Sequence, residues 1–159
     1  MKYLLIITAM ATFTACSSMK QTTRTQVTDF TEIKKMVNDK NFLFVAERMI
    51  PAKGMPSNIT DFYDLSVSND SLYVQLPYRG QAYLAPIDPS KSPLDFTSTS
   101  FEYTVTEGTD KLNVIIKPKD KTNVQQFILE IFNNGSATLS VNSSDRQGIS
   151  YNGYIAANP

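Results

Sequence analysis

The chain has 159 residues with 15 basic and 15 acidic side chains, so it lacks the positive charge that would attract nucleic acid. It contains no histidine and one cysteine, which excludes histidine-based catalysis and the common zinc, haem and iron–sulfur ligand sets. A single cysteine also excludes a disulfide within the chain, so the folded part must be stabilised by core packing. We predict no cofactor, no metal and no nucleic-acid partner.

Residues 1–15 are predicted to be a secretory signal. Lys2 is followed by an apolar run over residues 3–13, which is too short to cross the roughly 30 Å core of a bilayer as a helix. The run leads into FTAC, residues 13–16, which resembles the lipobox of bacterial lipoproteins. We therefore expect cleavage before Cys16 and acylation of its sulfur by fatty acids such as palmitate. Two alternatives stay open: an ordinary secretory signal that leaves a free thiol, and an uncleaved N-terminal anchor.

The predicted membrane anchor is covalent lipid and not a protein helix. Two or more acyl chains hold a protein durably to a bilayer, because each buried methylene contributes about 0.8 kcal/mol. Ser17 stands where an aspartate would favour retention at the inner membrane, and no acidic cluster of the kind used for surface display follows. We expect a lipoprotein of the outer membrane that faces the periplasm.

A tether and a short helix are predicted next. Residues 16–28 are mostly polar and lack periodicity, which is typical of a flexible tether behind a lipidated cysteine. Asp29 and Glu32 stand three residues apart before an apolar pattern, as in a capping box, and indicate the start of a helix. Its predicted apolar face consists of Phe30, Ile33, Met36 and Val37.

From Phe42 onward the apolar period changes from helical to two, which predicts β-strands. The first strand has apolar groups on both faces and ends near Pro51. Turns are predicted at Asn69-Asp70 and at Asn134-Gly135. The second is the stronger signal, because an Asn-Gly step readily adopts the positive φ angles of a tight hairpin. Gly153 in the last strand predicts a bulge or a close approach of another chain segment. The inward-facing apolar positions predicted beyond the first strand are Tyr63, Leu65, Val67, Leu72, Val74, Leu76, Phe101, Tyr103, Val105, Leu112, Val114, Ile116, Phe127, Leu129, Ile131, Ala137, Leu139, Val141, Ile149, Tyr151 and Ile155.

The predicted fold is a single mainly β domain over residues 29–159. Seven or eight closely spaced strands, with no helices between the later ones, favour an antiparallel meander. Such a sheet must protect its edges, so we expect it to curl into a barrel-like or strongly bent sheet with the N-terminal helix over one end. A β-sandwich is the alternative.

A segment punctuated by proline and glycine interrupts the strand pattern at residues 76–86, LPYRGQAYLAP, and again at residues 93–96. It resembles the LPY-x-G-x-AY-x-AP signature of domain of unknown function 4251, a family found mostly in lipoproteins and secreted proteins of Bacteroides-type bacteria. NGSATLSV and DRQGISYNG, within residues 134–153, resemble the closing hairpin of that family. The resemblance spans roughly residues 40–155 and implies a cell-envelope domain. It implies no activity, substrate or catalytic residue.

Five residues are candidate ligand-binding groups: Tyr78, Arg79, Tyr83, Asp88 and Arg146. Tyr78, Arg79 and Tyr83 lie within residues 76–86 and Asp88 lies two residues beyond, and loops on a rigid sheet often carry binding groups. Arg146 could form a two-pronged contact with a carboxylate or phosphate. The alternative is structural: the tyrosines pack on the sheet, Arg79 pairs with a carboxylate, and Arg146 anchors to backbone carbonyls or to an acid in the neighbouring loop.

The expected function is a non-catalytic module that binds a small or extended ligand in the mouth or concave face of the sheet. The second hypothesis is a structural or assembly lipoprotein that docks another envelope protein. The third is a hydrolase that uses carboxylates such as Asp61 and Asp64, which would require two acids about 5–10 Å apart in a cleft.

Overall fold

The computed structural model describes residues 24–84, 92–121 and 123–158. In these ranges the chain forms one helix and nine strands. The elements are α1 (Phe30–Asn38), β1 (Asn41–Pro51), β2 (Ser57–Ser68), β3 (Ser71–Leu76), β4 (Leu94–Ser98), β5 (Phe101–Glu107), β6 (Lys111–Pro118), β7 (Val124–Phe132), β8 (Ser136–Ser143) and β9 (Ile149–Ala156).

The nine strands form one antiparallel sheet in the order β4-β3-β2-β1-β9-β8-β7-β6-β5. The edge strands β4 and β5 are consecutive in the chain and are joined by Thr99 and Ser100 alone. Because so short a link holds both edges together, the sheet curls into a nearly closed barrel. This confirms the predicted mainly β, antiparallel, barrel-like fold, and the sheet does not split into a sandwich.

The turn between β6 and β7 closes the corner where the two edges meet. Lys119 N donates to Ser100 O at 2.7 Å, and Thr99 N donates to Asp120 Oδ2 at 3.3 Å. The Ser98 hydroxyl donates to the other carboxylate oxygen of Asp120 and lowers the pKa of that group. These hydrogen bonds attach the seam of the barrel to a neighbouring hairpin.

Edge strand β4 is the difference between the predicted seven or eight strands and the observed nine. Residues 93–96 carry no predicted strand, yet Leu94–Ser98 pairs with β3 along its whole length. Its inward positions are Leu94, Phe96 and the fully buried Ser98. Two apolar residues and a serine behind a proline give too short an alternation to indicate a strand.

Helix α1 begins and packs as the capping pattern predicts. The Asp29 carboxylate accepts a hydrogen bond from Thr31 N at 2.8 Å, and Ile33 and Val37 are fully buried. The Tyr103 hydroxyl of β5 donates to Val37 O at 2.7 Å. The helix thereby covers edge strand β5, which is otherwise half-exposed.

Residues 24–28, the last part of the predicted tether, lie against the sheet and are called the strap below. Val27 N donates to Ile155 O at 2.8 Å, and Gln26 forms a bridge with Ala156. The Tyr154 hydroxyl donates to Arg24 O at 3.0 Å. Within the described residues, the strap therefore contacts the domain from Arg24 onward.

The interior of the barrel is a core of packed side chains. The largest that are fully buried are Tyr151, Phe42, Phe44 and Phe127. The Tyr151 hydroxyl donates to Pro77 O at 2.6 Å, so the polar atom of this core tyrosine has a partner. Burial raises the pKa of Tyr151, which keeps it a neutral donor. These rings belong to one continuous hydrophobic core inside the barrel.

Strand β9 approaches the backbone of β1 closely at Gly153. β1 changes register between Ala46 and Arg48, and Gly153 pairs with Ala46 at that point. A Cβ on Gly153 would lie 1.9 Å from Val45 O. The glycine therefore lets two backbones meet, which confirms the predicted bulge or close approach.

Candidate functional site

The LPY segment, residues 76–84, lies against the loop between β8 and β9. Ala82 forms an antiparallel bridge with Arg146, and Tyr83 N donates to Asp145 O at 2.7 Å. Gln147 N donates to Gln81 O at 3.0 Å. The segment is therefore fixed to the barrel by backbone hydrogen bonds, although its residues after Leu76, the last residue of β3, belong to no named strand.

Arg146 pairs with the residue beside it in the chain. Its Nε donates to Asp145 Oδ1 at 2.8 Å, and a second N–H donates to Asp145 Oδ2. Both side chains are less than a tenth exposed. The hydrogen bonds between the two side chains, together with the attraction of their charges, lower the pKa of Asp145 and raise that of Arg146. The two-pronged face of Arg146 is thus occupied by the carboxylate of the preceding residue, and not by backbone carbonyls or an acid of the neighbouring loop.

Tyr78 completes this cluster, which we call the LPY lock. Its ring centroid lies 5.4 Å from the guanidinium carbon of Arg146, and its hydroxyl donates to Gln147 O at 3.0 Å. Burial raises the pKa of Tyr78, and the positive charge of Arg146 offsets part of that effect. The structure therefore brings two of the five candidate residues together, but as an inward-facing attachment between two loops.

The outer side of the same segment is exposed. Tyr83 and Leu84 are 65% and 68% exposed, and Arg79 is exposed beside them in the chain. The side chains of Gln81 and Gln147 contact each other across the two loops, with Gln147 Nε2 3.3 Å from Gln81 Oε1. We call this group the LPY surface. Asp88, the remaining candidate, lies outside the described residues, as does Cys16.

A second arginine–aspartate pair joins Arg24 of the strap to Asp64 of β2 and was not predicted. Arg24 Nη1 lies 2.6 Å from Asp64 Oδ2, and the guanidinium carbon lies 5.5 Å from the ring centroid of Phe62. Asp64 is 3% exposed, and this burial raises its pKa although Arg24 lowers it in part. The carboxylate proposed for hydrolysis is therefore covered by an arginine, while Asp61 stays exposed.

One sequence signal points to this covered site. The first strand has apolar residues on both faces, and its outer residues Leu43 and Val45 are buried. Val45 pairs with Asp64, so whatever covers one also covers the other. The alternation of β2 alone places Asp64 among solvated polar residues, which is why the buried pair was missed.

Three of the open depressions on the described part of the surface have volumes of about 380, 310 and 240 Å³. The first lies between the strap and the start of α1, the second beside Pro51 and Ile149, and the third beside Phe96 and Lys121. The described candidates Tyr78, Arg79, Tyr83 and Arg146 line none of these three. The described residues of the LPY surface form an exposed patch outside these three depressions.

Within residues 24–84, 92–121 and 123–158, no three potential metal-ligating side chains of histidine, cysteine, aspartate or glutamate come together. In that same part of the chain, no helix has both the length and the apolar character needed to cross a membrane.

Fold and surface together define a small antiparallel β-barrel domain with a packed interior and two loop segments held on its outside. The sequence profile of a family described as domain of unknown function (DUF4251) matches residues 24–155. The chain belongs to this family, which confirms the resemblance seen in the LPY segment and the closing hairpin.

The chain is also similar to a solved structure, a DUF4251 family protein from Bacteroides eggerthii DSM 20697. The two share 13% identity, the TM-score is 0.61, and the match covers 83% of this chain and 89% of the other. At this identity the likeness concerns the fold. A comparison with curated proteins gives no match.

Proposed function

We propose that this protein is a non-catalytic lipoprotein of the outer membrane, facing the periplasm, and that it binds a ligand on the LPY surface. The observation that carries the proposal is the contrast between the two sides of the LPY segment. Backbone hydrogen bonds to Asp145 and Gln147 fix the segment, while Arg79, Tyr83 and Leu84 stay exposed. Rigid presentation of exposed groups lowers the entropy cost of binding.

The chemistry of the LPY surface favours an extended ligand with a negative group. Tyr83 offers a ring for stacking and Arg79 a fork for a carboxylate or phosphate. Gln81 and Gln147 add amide donors and acceptors beside them. Because the barrel interior is filled, binding in the concave face has less support than binding on this surface.

The anchor is tested by replacing the proposed acylation site. In Cys16→Ala the lipobox cysteine is absent, so we expect the protein to leave the detergent-requiring membrane fraction. Ser17→Ala is the matched control, since it changes the neighbouring residue and leaves the cysteine. Recovery of Cys16→Ala in the same membrane fraction as the wild type would contradict lipid anchoring.

The ligand site is tested with the lipidated protein purified from its own cells in mild detergent. Mass spectrometry should detect the same co-purifying molecule on the wild type and on Phe132→Ala, a control in which another exposed ring is removed. The double variant Arg79→Ala/Tyr83→Ala should have lost it. A molecule that all three proteins retain would place the binding site elsewhere.

A second candidate function is docking of another envelope protein. It is favoured by Leu84, a large aliphatic side chain exposed directly beside Tyr83. A photo-crosslinking amino acid at position 83 should then capture one envelope protein, and the same amino acid at position 132 should not. Equal capture at both positions would argue against a specific docking surface.

A further inference from the structure

The strap fixes the position of Arg24, the first residue that the structure describes. Tyr154 of β9 holds the backbone of Arg24 through its hydroxyl, and the side chain of Arg24 reaches Asp64 of β2. The strap therefore crosses the outer face of the sheet from β9 towards β2. Arg24 lies on this outer face beside β2, and its position is called the exit point.

Phe62 of β2 lies at this exit point. Its ring lies against the guanidinium of Arg24, yet the residue is 77% exposed. The exposure follows from the pairing of β1 with β2: the register shifts so that residues 59–62 face a single residue of β1. Such a bulge redirects side chains away from the ladder. Single exposed apolar side chains are common on protein surfaces, so the feature that distinguishes Phe62 is its position beside Arg24.

The length of chain between the proposed anchor and the exit point limits what Phe62 can meet. Arg24 follows Cys16 by eight residues, which span at most about 26–29 Å when fully extended. A domain of this size has a radius of gyration of about 14 Å. The eight residues are therefore longer than needed for the face beside Arg24 to touch the bilayer. For the opposite side of the barrel to touch it, they would have to be almost fully extended.

We propose that Phe62 forms a membrane-contact surface and inserts its ring into the interface of the bilayer that holds the lipid of Cys16. This inference rests on the proposed lipid anchor. Amphipathic helices at the membrane interface bury their apolar face about 5–10 Å into the boundary between headgroups and acyl chains, and we expect the ring to enter the same zone. The lipid supplies the affinity, and Phe62 sets which face of the domain lies on the membrane.

The charges around the ring indicate that the contact is apolar. The charge of Arg24 is paired with that of Asp64, and Asp61 adds an exposed negative group. The surface therefore has no net positive charge with which to attract anionic lipid. Insertion of Phe62 should occur in zwitterionic phosphatidylcholine and should not depend on anionic lipid.

The chain contains no tryptophan, so a single introduced tryptophan reports on one position. The test uses the full lipidated protein with Phe62→Trp, reconstituted into phosphatidylcholine vesicles that contain lipids brominated near the headgroup. The matched control is Phe132→Trp on β7, which is four strands away from β2 around the barrel and is also an exposed phenylalanine. Vesicle flotation is measured first on both proteins.

Both proteins should float with the vesicles. The tryptophan emission of Phe62→Trp should then shift to shorter wavelength and be quenched by brominated lipid, and that of Phe132→Trp should show neither change. Failure to float would contradict the lipid anchor itself. Two results would overturn the membrane contact and leave the anchor standing. One is flotation with equal quenching in both variants. The other is an indole in Phe62→Trp that is shielded from water but is not quenched by brominated lipid.

Discussion

Two regions of the molecule use the same three kinds of side chain in opposite ways. In the LPY lock, Arg146 pairs with Asp145 and stacks on Tyr78; under the strap, Arg24 pairs with Asp64 and stacks on Phe62. The guanidinium carbon lies 5.4 Å from the ring centroid in one case and 5.5 Å in the other. The first ring is half-buried and hydrogen-bonded, and the second is largely exposed.

The aspartates show what the difference means. Hydrogen bonds from Arg146 lower the pKa of Asp145, whereas burial raises the pKa of Asp64 in spite of Arg24. Two directed N–H bonds from Arg146 compensate for the loss of water around the Asp145 carboxylate. The single close contact with Arg24 does not compensate for it around Asp64. We therefore expect the LPY lock to contribute more to the free energy of unfolding than the contact between Arg24 and Asp64.

Replacement of each arginine by methionine should give the largest contrast. Arg146→Met leaves Asp145 buried without its partner, and we expect a loss of about 3–5 kcal/mol in the free energy of unfolding. Arg24→Met should cost only about 1–2 kcal/mol, because the Arg24 side chain is 29% exposed and water can replace part of the contact. Urea unfolding of the two variants measures the difference.

The control for this comparison is the double variant Asp145→Asn/Arg146→Met, in which the unpaired charge is also removed. It should recover part of the stability lost in Arg146→Met. Equal losses in the two single variants would contradict the distinction between lock and strap.

Two glycine substitutions compare the same regions through their backbones. Gly135 has a φ of +82°, and its added Cβ would lie 1.9 Å from Val27 O of the strap, so Gly135→Ala should cost about 2–3 kcal/mol. The Cβ of Gly80→Ala would lie 2.5 Å from the Tyr78 hydroxyl, which can turn away and lose its hydrogen bonds at a cost of about 1 kcal/mol.

Hydrogen exchange distinguishes the two glycine variants. In Gly135→Ala, the Val27 amide, which donates to Ile155 O, should lose its protection from exchange. The Tyr83 amide, which donates to Asp145 O, should keep its protection. A Gly135→Ala protein that retains protection at Val27 would show that the strap does not depend on this close approach.

The opposite pKa shifts predict opposite dependences on pH. Asp145 stabilises the fold above the ordinary aspartate pKa of 3.8 and loses this effect as the pH falls through its lowered pKa. The contribution of Asp64 is fully present below 3.8 and is lost as the pH rises through its raised pKa. The stability of the wild type relative to Asp145→Asn should therefore fall on acidification, and that relative to Asp64→Asn should rise. Chemical unfolding between pH 3 and pH 7, a range of roughly four units around these pKa values, measures both; slopes of the same sign would contradict the comparison.

The smallest contrast concerns the two rings. Tyr78→Phe removes the hydrogen bond to Gln147 O and should cost about 1 kcal/mol. Phe62→Ala should change the free energy of unfolding by no more than about 0.5 kcal/mol, because its ring is mainly in solvent. Thermal unfolding in detergent, away from vesicles, measures both. A larger loss in Phe62→Ala would mean that this ring belongs to the fold.

The fold follows from the sequence wherever apolar alternation and turn chemistry agree. The hairpin of β7 and β8 at Asn134-Gly135 and the capped helix at Asp29 are formed as predicted. Strand β4 was missed because its inward positions include Ser98, so the alternation is too short to be recognised.

The candidate site was predictable only in part, because it depends on the path of the chain. Tyr78 and Arg146 are 68 positions apart in the sequence, and the LPY signature together with the closing hairpin pointed to both segments. No local pattern shows that Arg146 uses the carboxylate of its own neighbour, or that Arg24 folds back over Asp64. Both pairings are set by how the loops cross the sheet.

The central claim, that a lipid on Cys16 holds this β-barrel domain at the membrane, is tested most directly by intact-mass measurement of the protein isolated from its own envelope. The account predicts a chain that begins at Cys16 and carries the added mass of acyl chains on that residue. A mature chain that begins elsewhere, or an unmodified Cys16, would contradict it.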